Sequence, residues 1–127
     1  MRLLLKDSLP FVTLSVTYRG KTVEIPDVLI DTGSGSTILA SDIVQTIGIA
    51  PSPEDILYAI RGVGGSEVVY SRQVDTIHLG DCTINDFEIE IGGMDYGFDI
   101  KGIVGMDLLI QTGAMINLQN MTIRFDN

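Results

Sequence analysis

The stretch Val28–Leu39, "VLIDTGSGSTIL", decides how this chain is read. An apolar run, Val28-Leu29-Ile30, delivers an acid and a hydroxyl, Asp31 and Thr32, straight into Gly33-Ser34-Gly35-Ser36. A carboxylate at the end of such a run is costly to bury unless something holds it. Glycine and serine are turn formers, so the chain bends sharply just after Asp31. A polar turn hung on an apolar strand is where a fold keeps a reactive group.

The composition bounds the answer. A chain of 127 residues with 45% hydrophobic content reads as one domain, residues 1–127, with a modest core. There is no Trp and little aromatic content, so that core is built from Ile, Leu and Val. The formal charge is −9, which argues against nucleic acid and anionic membrane surfaces, because phosphate binding needs clusters of Lys and Arg. One cysteine, Cys82, permits no internal disulfide and suits a reducing compartment. It reads as a small core or edge residue. The opening "MRLLLKDSLPF" is too short in its apolar part for a signal peptide or a membrane span, and the expected location is cytoplasmic.

Strand patterns run along most of the chain. "FVTLSVTY" (11–18) and "TVEIPDVLI" (22–30) flank a turn at "RGK" and predict a hairpin. "SDIVQTIGI" (41–49) sets Ile43, Val44 and Ile47 at helical spacing behind Ser41 as N-cap. Residues 56–80 read as two strands joined at a glycine-rich tip, and "TINDFEIEIGG" as another strand with Phe87, Ile89 and Ile91 on one face. "GMDLLIQTG" (105–113) is a short helix ended by glycine, and "AMINLQNMTIRF" folds back about Gln119 and Asn120. A weak echo links "PDVLIDTGSG" to "FDIKGIVGMDLL": in each, an apolar run enters a glycine turn followed by a short helical pattern. The whole is a small, mostly β domain.

These residues, in this order, resemble the retropepsin family of single-domain aspartic proteases. "LIDTGSGSTIL" is similar to the family's active-site signature, and "IRGVGGS" (60–66) to its flap tip. "GIVGMDLL" (102–109) is similar to the apolar-apolar-Gly motif before the C-terminal helix, and "LIQTGAMINL" (109–118) to the closing dimer-interface strand. The resemblance implies a closed β barrel with a flap hairpin and a short C-terminal helix, and an aspartic endopeptidase acting on peptide or protein substrates. No cofactor and no metal are implied.

The chemistry gives the acid a reason of its own. Hydrolysing a peptide without metal or covalent intermediate needs a base to activate water and an acid to protonate the carbonyl oxygen. Two carboxyls sharing one proton do both, because two like charges at close range do not both ionise. This sequence holds one Asp-Thr-Gly, so the pair requires a homodimer in which each subunit supplies Asp31. By resemblance, Thr32 bonds across the two-fold axis, and Gly33 leaves room for substrate backbone. Ser34 either donates to the carboxylate or is plain turn chemistry. Gly62, Val63, Gly64 and Gly65 form the flap that closes on substrate, and Ile103 lines an apolar pocket. Gly105 lets the second apolar strand pass close under the active-site loop. The alternative is a weak or inactive relative that uses the same groove to bind peptide.

One departure from the pattern stands out. Retroviral enzymes pair an acid shortly after the Asp-Thr-Gly with a basic residue after the second glycine motif, and here those places hold Gly35, Ser36 and Met106. Asp107 is expected to bond locally at the start of its helix. Asp95, Asp99 and Asp107 fit no cation-loop spacing. His78 reads as a surface strand residue.

Overall fold

The computed structural model describes residues 1–62, 65–94 and 100–126. Strands β1 (Leu4–Lys6), β2 (Leu9–Tyr18) and β3 (Lys21–Ile30) form an antiparallel meander. Val12, Leu14, Val16 and Tyr18 are buried while Thr13 is exposed, the period-2 pattern of a strand with one face on a core. The turn from β2 to β3 holds Arg19 and Gly20 at φ of 50° and 82°. A two-residue turn with both φ positive matches the twist of the strands it joins.

After the Asp31 loop the chain forms β4 (Ile38–Ala40), the single-turn helix α1 (Ser41–Val44) and a 3-10 turn over Gln45–Ile47. The expected Ser41 cap is not there. Ala40 is the N-cap, no side chain caps the helix, and Ser41 is already helical. The strand ladder explains the shift, because the Ala40 N–H still donates to the Lys101 carbonyl (3.0 Å), and the chain turns directly from that bond into the helix.

Two long strands follow the short β5 (Tyr58–Gly62): β6 (Gly65–Leu79) and β7 (Cys82–Gly92). Phe87, Ile89 and Ile91 are buried as expected, and so are Cys82 and Ile84. The inward face changes parity at Asp86, whose φ is 53°, so one irregular residue lets both halves of β7 bury their apolar sets. His78 lies on the exposed face and bonds Thr83 Oγ1 at 3.0 Å. The chain ends with β8 (Gly102–Val104), helix α2 (Met106–Gln111), and the hairpin of β9 (Met115–Asn117) and β10 (Thr122–Arg124). Gly113, at φ 59°, ends α2.

The main sheet runs β1-β2-β3-β8-β4-β7-β6-β5, and β6 also pairs with β2. That second pairing closes six strands into a ring, the closed barrel expected from the sequence, and removes most of the open edge a flat sheet would expose. β5 and β6 form the antiparallel hairpin on which the flap expectation falls. The two echo segments lie side by side, β3 and β8 running parallel with Val28 opposite Gly102, Leu29 opposite Ile103 and Ile30 opposite Val104. The main core, which includes Leu14, Val16, Ile25, Ile77, Ile89 and Leu108, fills the ring. A smaller cluster gathers Phe11, Leu29, Ile38, Val69, Met94, Ile100 and Ile103. Among the described residues no helix is long and apolar enough to cross a membrane.

The sheet order makes Leu39 a keystone, fully buried on the short strand between β8 and β7. Leu39→Ala is expected to destabilise folding by about 2–5 kcal/mol through the cavity it leaves. Leu57→Ala, at a side chain 64% exposed, is expected to stay within about 0.5 kcal/mol. Denaturant unfolding of the two variants beside the parent checks both values.

Candidate active site

Residues 31–37 span the gap between the end of β3 and the start of β4, and β8 is laid into that gap. It pairs parallel with β3 on one side and antiparallel with β4 on the other. The Asp31 N–H donates to the Val104 carbonyl (3.0 Å), so Asp31 forms the next rung beyond the β3–β8 ladder. Its side chain is half-buried, while Thr32, Gly33 and Gly35 are exposed. What holds the carboxylate is backbone: the Gly33 N–H donates to Asp31 Oδ1 at 2.9 Å. A Cβ on Gly33 would stand 3.1 Å from that same oxygen. A side chain at position 33 would therefore press on the carboxylate that the same residue's amide holds.

The loop rests on a backbone crossing. Gly105 is the N-cap of α2, and a Cβ there would lie 2.2 Å from the Ser36 carbonyl oxygen and 2.9 Å from that of Ser34. Those are backbone atoms, so no side chain fits. The Met106 N–H donates to the Ser34 carbonyl at 2.8 Å, tying the crossing strand to the loop. Ser34 Oγ donates to the Ser36 carbonyl (2.7 Å). Of the two roles open to Ser34, its hydroxyl takes turn chemistry, and the amide of Gly33 serves the carboxylate.

Thr37 and Asp107 complete the joint; sequence reading passed over Thr37 and expected only a local bond of Asp107. Thr37 is fully buried. Its Oγ1 donates to Asp107 Oδ1 (2.8 Å) and accepts from the Gly105 N–H (3.2 Å), while its own N–H donates to Asp107 Oδ2 (3.2 Å). Asp107 also accepts from the Leu108 N–H (2.7 Å), the local bond expected of it. Its longer reach, across to Thr37, is the correction. The loop is thus joined to the start of α2 by hydrogen bonds to a carboxylate, with no basic partner. A signal was present: a threonine ending a Gly-Ser turn and entering an apolar strand must satisfy its hydroxyl when buried.

Gly62 and Gly65 pair with each other at the end of the β5–β6 hairpin, and Val63 and Gly64 lie outside the described residues. At the base of that hairpin the Tyr58 hydroxyl bonds Ser71 Oγ (2.5 Å), and burial pushes its phenol pKa up. Arg72 Nη2 donates to Asp55 Oδ2 (2.6 Å) and the Ala50 carbonyl (3.1 Å), clamping the preceding loop. Ile103 is 7% exposed and sits within the smaller cluster, against which Ile60 of β5 also packs. Ile103, for which the resemblance implies a pocket-lining place, is thus a core residue in this structure. Asp95 and Asp99 lie outside the described residues, and among the described residues no three His, Cys, Asp or Glu gather as a metal ion would need.

Thr37→Val keeps the shape and removes the hydroxyl, leaving a buried amide and a carboxylate oxygen short of a partner. The expected cost is about 1–3 kcal/mol, with Thr37→Ser restoring most of it. Chemical denaturation of the two variants decides whether the hydroxyl or the methyl matters.

The family model described as aspartyl protease matches residues 14–108. A comparison with curated proteins found no match. The matched span runs from β2 into α2, so it takes in the Asp31 loop, the β5–β6 hairpin and the Gly105 crossing. It covers most of the chain, and the chain belongs to the retropepsin-like aspartyl protease family.

Proposed function

We propose that the protein is a homodimeric endopeptidase in which two Asp31 carboxyls, one from each subunit, activate a single water. The observation that carries this reading is the presentation of Asp31. Its carboxylate stands half-exposed at a loop bolted to the core by backbone bonds, with Oδ1 engaged by the Gly33 amide. A half-exposed acid on a rigid support is pre-organised for chemistry at a surface, and its partner must come from a second copy of the same loop.

In the proposed reaction one carboxylate takes a proton from water as the oxygen attacks the scissile carbonyl carbon. The other carboxyl gives its proton to the carbonyl oxygen, forming a neutral gem-diol. The C–N bond then breaks as the first carboxyl gives its proton to the leaving nitrogen and the second carboxylate takes a hydroxyl proton from the gem-diol. That step releases the acid product and restores the shared-proton pair. Thr32, exposed on the loop, reaches across the two-fold axis and keeps the carboxyls coplanar. The Gly33 carbonyl accepts a substrate amide. The flap of Gly62, Val63, Gly64 and Gly65 closes over an extended peptide, and apolar side chains beside the scissile bond meet the floor near Ile103.

Asp31→Asn is expected to abolish cleavage of a susceptible peptide while leaving the melting transition in place, since an amide closely matches a carboxyl in shape. Cleavage at the parent rate by that variant overturns the assignment. The pH–rate profile should be bell-shaped, falling where the pair is doubly protonated and again where it is doubly ionised. EDTA should leave the rate unchanged, and activity lost to the chelator and restored by zinc would contradict the reading.

A further inference from the structure

β6 outruns its neighbour in the sheet. Its pairing with β7 begins at Tyr70 opposite Ile91, whereas residues 65–69 pair with β5 alone among the described residues. The β5–β6 hairpin therefore projects past the last rung that joins it to the barrel. Part of what holds it down is apolar: Val69 is buried in the smaller cluster and Ile60 packs against it. Part is polar. Glu67 stands opposite Ile60, on the same face of the hairpin, and its Oε1 accepts the Met94 N–H at 2.6 Å, just beyond the end of β7.

The end of β7 leaves room for that carboxylate. A Cβ on Gly92 would stand 2.6 Å from Glu67 Oε1 and 2.9 Å from its Cδ, so the acid fills the space a side chain at 92 would take. Met94 has a φ of 58°, a left-handed backbone that residues with a Cβ seldom adopt. Such a conformation persists where its surroundings over-determine it. Here the Met94 side chain is buried in the smaller cluster with Val69 and Ile103, and its N–H is held by Glu67. A leucine at 67 would seat the hairpin by apolar contact alone. A carboxylate exchanges its bond for bonds to water at little net cost, so this hold is reversible.

We propose that Glu67 is the positioning residue of the β5–β6 hairpin, a latch closed on the backbone of Gly92 to Met94. Seated there, it holds the hairpin against the cluster that contains Ile103, whose neighbour Val104 accepts the Asp31 N–H. When the carboxylate leaves for water, the hairpin lifts and an extended peptide enters or leaves. The effect on turnover rests on the endopeptidase reading, whereas the latch itself does not.

The test is hydrogen exchange of backbone amides, with peptide kinetics alongside. Glu67→Ala is expected to speed exchange in β5 and at Met94 at least about tenfold while the β2–β3 hairpin exchanges as in the parent, which separates local lifting from global unfolding. KM for a cleaved peptide should rise at least about fivefold, with kcat within about twofold. Glu67→Gln, which keeps an oxygen acceptor of the same reach, should restore both readouts. Gly92→Ala should evict the carboxylate and reproduce Glu67→Ala, and the double variant should be no worse than either, because each removes the same bond. Unchanged exchange in Glu67→Ala, or effects of Glu67→Ala and Gly92→Ala that add, overturns the latch. Faster exchange with KM unmoved overturns its part in turnover and leaves the endopeptidase reading intact. A parent that cleaves no peptide overturns that reading, and the exchange measurement still decides the latch.

Discussion

The structure depends on one close approach, the backbone of Gly105 against the carbonyls of Ser34 and Ser36. With 2.2 Å between a would-be Cβ and the Ser36 oxygen, the contact exists only because position 105 has no side chain. Because the strand passes there, β8 lies between β3 and β4, the Asp31 N–H finds the Val104 carbonyl, and Met106 reaches Ser34. The same approach brings Asp107 under the loop, where Thr37 meets it. Remove the approach and the loop loses its floor, its anchor and its alignment together.

The joint shows how a fold keeps a rigid site without a buried ion pair. Asp107 spends its charge on three N–H or O–H donors, two from Thr37 and one from Leu108. Hydrogen bonds to an ionised acceptor are stronger than neutral ones, and they avoid desolvating a second charge. The acid of the proposed dyad is treated differently. Asp31 accepts one backbone amide from within its own turn and keeps partial exposure, an arrangement that positions the group and leaves it available.

Much of this was legible in the sequence because it rests on local patterns. Alternation located the β2–β3 hairpin and the inward face of Phe87, Ile89 and Ile91, and the echo of 26–35 in 98–109 is realised as the parallel pair β3 and β8. The requirement for glycine at 105 was also readable. What escaped depends on partners distant in sequence. Thr37 and Asp107 are 70 positions apart, and neither the helical start at Asp107 nor the strand start at Thr37 names the other. Ser41 failed as a cap because a ladder bond from Ala40 to Lys101 decides where the strand ends. Ser34 had two acceptors within reach, and turn geometry, not composition, chose the Ser36 carbonyl.

In the proposed function one site is shared by two chains. One Asp-Thr-Gly per chain and a half-exposed carboxylate on a fixed loop support that arrangement in different ways, one by counting and one by presentation. The most direct measurement is the binding stoichiometry of a statine-type transition-state mimic by isothermal titration calorimetry. The account predicts one inhibitor molecule bound per two chains, with binding lost in Asp31→Asn. One molecule bound per chain would contradict it.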